Sequence, residues 1–285
     1  MEFKARTGNE RKRSWVAVAA AVVVTVAAAW AIPAVTASVA APHSTAAQGR
    51  DTSADGGRNG QDGAQGSGSA GGGGAQQGAG GVPEGIAHAS EAGGNAVNIT
   101  IDDGPDPVWT PKVLDVLKQY GVKATFCMIG PQAKAHPELV KQVIAGGHRL
   151  CDHTVDHDTT MDKKSVAYQE KEILDAKRMI EEAAGGAAQV QYYRAPGGSF
   201  TPDSRRIAAA NGMRPLGWNV DSKDFTRPGT AAIVDTVKKE IGNGPTILFH
   251  DGGGDRQQTV EALGQVLTWL KAQGRPTGFP VRTTS

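Results

Sequence analysis

From Ala96 onward, short apolar runs rich in β-branched residues alternate with stretches whose apolar positions recur every three or four residues. The strand pattern falls on Ala96–Ile101, Ala124–Gly130, His148–Asp152, Gln191–Ala195, Gly217–Asp221 and Thr246–His250. The helical pattern falls on Pro111–Tyr120, Pro137–Ala145, Ser165–Ala184, Asp203–Asn211, Ala231–Ile241 and Gln258–Gln273. In the second of these, Leu139, Val140, Val143 and Ile144 share a face, and Gly146-Gly147 supplies the stop. Regular alternation of this kind predicts an α/β fold with a parallel sheet and helical crossovers, either closed or nearly closed as a barrel or opened as layers.

Upstream of Ala96 the pattern is of another kind. Trp15–Ala41 holds no charged residue and is rich in Ala and Val, long enough to span a bilayer as a helix. Residues 1–14 carry Lys4, Arg6, Arg11, Lys12 and Arg13, the flank that stays cytoplasmic. The run therefore reads as an export segment, with two outcomes open. Its length suits a retained anchor, whereas Ser38 and Ala40 suit signal-peptidase cleavage. From Gly49 to Gly81, 14 of 33 residues are glycine and almost nothing is apolar, so ordering would lose backbone entropy without burial to offset it. The division expected is a basic segment at 1–14, an apolar one at 15–41, a flexible linker at 42–90 and a folded domain at 91–285, extracytoplasmic and monomeric.

Composition removes some classes. Thirty Lys and Arg against 29 Asp and Glu, with no basic stripe beyond the first 14 residues, exclude an electrostatic nucleic-acid binder. Two cysteines exclude a four-cysteine zinc module. Cys127 and Cys151 fall on consecutive strands, and export permits a disulfide between them. A Cys–His nucleophilic pair is the competing use.

The chemistry-bearing residues cluster where the predicted strands end. Asp102, Asp103, His153, His157, Arg194, Asp221, Asp224, His250 and Asp251 all lie at or just past C-terminal strand ends, the edge that carries the site in α/β barrels. His153 and His157, four residues apart, with a carboxylate from elsewhere, form a ligand set for a divalent cation such as zinc. Adjacent Asp102 and Asp103 are costly to hold together unless a cation neutralises one of them. If Asp103 takes the metal, Asp102 is left as a base for an attacking water. The DDGP segment also reads as a self-capped turn. Arg194 suits orientation of a carboxylate or a structural salt bridge. His250 suits an edge packing role, or an acid if Asp224 reaches it. His43, His88, His136 and His148 read as flanking or packing residues, Trp109 and Trp269 as packing, and Trp218 as pocket wall or core.

In order along the chain, TIDDGP (Thr100 to Pro105), HTVDH (His153 to His157), RAPGG (Arg194 to Gly198), WNVDSKDF (Trp218 to Phe225) and ILFHD (Ile247 to Asp251) resemble the five motifs of the polysaccharide deacetylases with a NodB-homology domain, carbohydrate esterase family 4. The resemblance covers roughly residues 95 to 283. It implies a distorted (β/α) barrel and metal-dependent removal of acetyl groups from an acetylated polysaccharide. It also implies one divalent ion, zinc by preference, on Asp103, His153 and His157, with Asp102 as general base oriented by Arg194. His250 would be the general acid tuned by Asp224, Asp221 a supporting residue, Leu248 the wall beside the acetyl methyl, and the Gly197 N–H an oxyanion donor. Trp218 and Phe225 would line the pocket. Three positions depart from the usual pattern: Ile101 stands for Phe, Gly197 often for Tyr, and Phe225 commonly for Trp. Peptidoglycan, chitin oligomers and acetylated xylan are the substrates this leaves open, and a noncatalytic glycan-binding protein is the alternative of another class.

Overall fold

The computed structural model of the chain describes residues 81–283. The basic segment, the apolar run 15–41 and most of the glycine-rich stretch lie outside them. None of the helices among the described residues is long and apolar enough to cross a membrane.

Seven helices and eight strands alternate along the described chain: β1 (Val97–Asp102), α1 (Trp109–Tyr120), β2 (Ala124–Met128), α2 (Gly130–Ala135), α3 (Pro137–Ala145), β3 (Arg149–Asp152), α4 (Val166–Ala184), β4 (Val190–Tyr193), α5 (Pro202–Ala210), β5 (Arg214–Pro215), β6 (Val220–Asp221), α6 (Thr230–Glu240), β7 (Thr246–His250), α7 (Gln257–Ala272) and β8 (Thr277–Gly278). Every strand pairs in parallel, in the order β5-β4-β3-β2-β1-β7-β6, with β8 beside the start of β1. β5 and β6 are not hydrogen-bonded to each other, so the sheet is a distorted half-barrel rather than a closed one.

Local sequence explains the elements. All residues of β1, β2 and β7 are buried, as expected where a parallel sheet is covered on both faces. α1 turns Val113 and Leu117 inward and stops at Gly121, whose φ of 66° lets its N–H reach back to Leu117 and Lys118 carbonyls. Ser165 caps α4 by accepting the Tyr168 N–H. Thr201 and Ser204 form a reciprocal capping box at the start of α5. One core fills the space between sheet and helices, and a smaller one, built from Ala87, Cys127, Cys151, Tyr192 and Leu216, fills the interior of the half-barrel. There Cys127 and Cys151, opposite each other across β2 and β3, form the disulfide.

Three expectations need correction. Residues 82–90, assigned to the linker, pack on the domain: Val82 and Ala87 are buried, Ala87 pairs with Leu216 and Ser90 with Pro280. The strand expected at Gly217–Asp221 is reduced to Val220–Asp221, because the Gly217 carbonyl is taken by Arg194 instead of a neighbouring strand. The strand expected to reach Gly130 ends at Met128, since Gly130 and Pro131 open α2. The two-residue strands β5 and β8 are too short to leave a periodic signal.

Register places the site. Asp102 is level with Cys127 and His250, Met128 with Asp152, and Asp152 with Tyr193. The residues following these ends, Asp103, His153, Arg194 and Asp251, therefore emerge along one edge.

Candidate metal centre and catalytic site

Asp103, His153 and His157 bring one ligand atom each within 4.8 Å of the others. Asp103, Thr154 and His157 all have positive φ, 78°, 69° and 52°, a cost that non-glycine residues bear mainly at functional sites. The surroundings hold these loops in place. The Asp103 N–H donates to Cys127 O, the His153 N–H to Met128 O, and the Thr154 N–H to Asp152 Oδ1. Glu172, from the buried face of α4, accepts the Val155 and Asp156 N–H groups at 3.0 and 2.8 Å.

The donor set fits a cation. His153 Nδ1 donates to Arg194 O at 2.7 Å, which fixes the tautomer and leaves Nε2 with a free lone pair. That Nε2 lies 3.6 Å from Asp103 Oδ1, and His157 Nε2 lies 3.2 Å from the same oxygen. Asp103 Oδ1 is buried without a hydrogen-bond partner, an orphaned lone pair at the centre of the triad. Burial, only partly offset by Asp103, holds His153 down at about 3. The imidazole is thus neutral, the state a metal ligand needs.

Behind the triad, Arg194 is completely buried and uses its whole fork. Nη1 donates to Asp102 Oδ1 at 2.6 Å and to Thr100 Oγ1, Nε to Leu216 O, and Nη2 to Gly217 O. Asp102 is thereby held by one oxygen, with Oδ2 3.5 Å from His153 Nε2. Burial raises its pKa, against the lowering influence of Arg194 and of the histidine charges.

Across the pocket, His250 Nδ1 is bonded to Asp224 Oδ1 at 2.7 Å, and the His250 backbone N–H to Asp224 Oδ2 at 2.9 Å. Ser222 and Thr259 donate to the same carboxylate. Burial disfavours the imidazolium, but Asp224's hydrogen bond and charge, with Asp102 and Asp103 beyond, outweigh it and hold His250 up at about 9.

Between these groups lies a cavity of about 350 Å³. The metal triad, Asp102 and His250 line it together with Gly197, Trp218, Asp221, Phe225 and Leu248, while Arg194 and Asp224 stand behind its wall. Phe225 is 45% exposed and packs edge-on to His250. Asp221 pairs with Lys223 at 2.6 Å. A larger cavity of about 500 Å³ near Tyr120, Leu267 and Arg275 lies by the starts of β2 and β8, away from this cluster.

The polysaccharide deacetylase family model matches residues 89–216. A peptidoglycan-N-acetylglucosamine deacetylase of Bacillus cereus is 40% identical over 183 residues, 62% of this chain and 83% of that protein. The chain belongs to the polysaccharide deacetylases. Its domain is of the carbohydrate esterase family 4, NodB-homology type. A chitooligosaccharide deacetylase of Sinorhizobium fredii is 38% identical over 197 residues, covering 65% of this chain and 90% of that one. The crystal structure of a peptidoglycan N-acetylglucosamine deacetylase in complex with 4-naphthalen-1-yl-N-oxidanyl-benzamide superposes with a TM-score of 0.63 at 29% identity, over 68% of this chain and 90% of that one.

Every site residue expected from the deacetylase motifs is at this cavity or directly behind it. The family match ends at Leu216, so Trp218, Asp224 and His250 are placed by the fold itself. Sequence reasoning missed Thr100, Asp152, Glu172, Ser222 and Thr259, which orient the others. Glu172 left one signal: a carboxylate within the apolar stripe of α4, beside Ile173 and Ala176. Among the remaining histidines, His148 is a backbone acceptor for Ala124 N–H, held at about 4 by burial and by Lys123.

Proposed function

We propose that this chain hydrolyses N-acetyl groups of a polysaccharide, N-acetylglucosamine units of peptidoglycan first, using a zinc ion on Asp103, His153 and His157. The observation that carries this reading is the enclosure of one cavity by a cation-binding triad, an arginine-held carboxylate and a carboxylate-held imidazole. When bound, the divalent ion supplies Lewis-acid polarisation of a carbonyl and acidifies water at neutral pH.

The chain's own residues supply the rest. Asp102, fixed by Arg194, takes the proton of the attacking water at its remaining oxygen. The Gly197 N–H donates to the oxygen on which charge develops. His250, locked through Nδ1 to Asp224, turns Nε2 to the cavity and protonates the departing amine. Leu248 gives the acetyl methyl an apolar wall. Export with the head held in the envelope by residues 1–80 would present it to the cell's own wall, and the Bacillus cereus relative supports the same substrate.

Acetate release by the purified protein on peptidoglycan, chitin oligomers and acetylxylan tests the reading. Release that chelation abolishes and added zinc restores is expected, fastest on peptidoglycan. Faster release from chitin oligomers reassigns the substrate. Release from none of the three with metal bound overturns the enzyme reading in favour of glycan binding.

A further inference from the structure

We infer that Asp251, acting through Thr110, is the positioning residue for the turn that carries both the proposed base, Asp102, and the metal ligand Asp103; this rests on the metal-dependent deacetylase reading above. β1 ends at Asp102, and the chain then turns toward α1 with Asp103 at a φ of 78°. Left-handed backbone at a non-glycine residue persists only where its surroundings over-determine it. Asp251, the residue after the proposed acid, supplies much of that hold. Neither it nor Thr110 lines the reactive cavity, so contact with substrate does not account for them.

The grip has three parts. The Asp251 backbone N–H donates to Asp102 O at 3.0 Å. Its carboxylate lies against the bare Cα of Gly104, where any Cβ would collide with it. Its Oδ2 accepts the Thr110 hydroxyl at 2.6 Å, and that hydroxyl in turn accepts the Asp106 N–H at 2.7 Å. Residues 102, 104 and 106 are thus held from one side, and Gly252 passes so close to Asp103 O that it too has no room for a Cβ. Stability alone does not explain the carboxylate. Asp251 and Thr110 are completely buried, and Asp251 Oδ1 has no hydrogen-bond partner among the described residues. An unpaired buried carboxylate oxygen costs stability, and such costs gather at functional sites. Because Asp102 and Asp103 ride on the same turn, loosening it displaces the base and the metal ligand together.

The Thr110 hydroxyl is the link to cut. Zinc affinity of the full chain, measured by competition without substrate, should fall about tenfold in Thr110→Val and stay at the parent value in Thr110→Ser, which keeps the hydroxyl. With zinc saturating, acetate release should show a lower kcat at nearly unchanged KM in Thr110→Val, since Trp218, Phe225 and Leu248 stand on other parts of the chain. Asp251→Asn keeps an acceptor for Thr110 while removing the charge, and should keep the zinc affinity as well. Should Thr110→Val not fold, Thr110→Ala carries the same expectation. Parent affinity in the hydroxyl-free variant overturns the clamp, and so does an equal loss in Thr110→Ser, because the hydroxyl is then not what matters. A loss in Asp251→Asn overturns it too, by assigning the effect to charge. Zinc affinities that follow the expectation in a protein that releases no acetate support the clamp and overturn the deacetylase reading.

Discussion

Asp224 has both oxygens committed to His250, one to the ring and one to the backbone, and its hydrogen bond and charge together do most to hold the buried imidazole's pKa up. The protonated form, which the proposed donation to the leaving amine requires, is present below the pKa and lost above it. Activity should therefore fall as pH rises through about 9. Asp224→Asn removes the charge that raises this value, so the alkaline limb of kcat should move down toward the ordinary 6.5. A pH–rate profile of the two proteins checks it, and an unmoved limb would assign the titration elsewhere. At this scale the sequence was highly legible: Asp103, His153, Arg194 and His250 betray themselves as polar residues where apolar runs stop. Asp152 and Glu172 did not, because a carboxylate at a strand end or on a helix looks like a solvated charge until the fold buries it.

At the scale of elements, α4 does more than cover the sheet. Its Glu172 holds two backbone N–H groups of the loop that carries His153 and His157, and its Ala176 lies against Gly130 at the start of α2, too close for any Cβ there. Glu172→Ala leaves those donors unpaired and frees the loop, and metal affinity should weaken about 10–100-fold. Glu172→Gln keeps an acceptor and should retain most of it. Competitive metal titration separates the two variants, and equal affinity in both would confine Glu172 to a packing role. The six helices expected from the sequence lie within two residues of their observed ends because their apolar stripes run over several residues, whereas α2, only six residues long, was missed. β5 and β8 were not predictable, because two residues in a ladder carry no period.

For the whole molecule, the expected barrel is a half-barrel whose open side is spanned by residues 82–90. The Ala87 N–H reaches Pro215 O and Ala87 O takes the Gly217 N–H on the β5 flank, while His88 O accepts from Thr246 and Ala89 O from Asn98 and Val281 on the other. Those residues were misread as linker because Gly85, Ala87, Ala89 and the glycines before them blur the change in composition. Deleting 82–90 removes these bonds and uncovers Leu216, and should lower stability by on the order of 3 kcal/mol. Denaturant unfolding of the two proteins measures it, and equal midpoints would make the segment dispensable. The same segment is also where the described domain meets the rest of the N-terminal chain. A pull entering from that chain meets the Ala87–Leu216 and Ser90–Pro280 bridges before it meets β1. Pulling from that end should therefore detach 82–90 in a first, small step while Arg194 still clamps Asp102 inside the sheet, a sequence that single-molecule force spectroscopy would resolve.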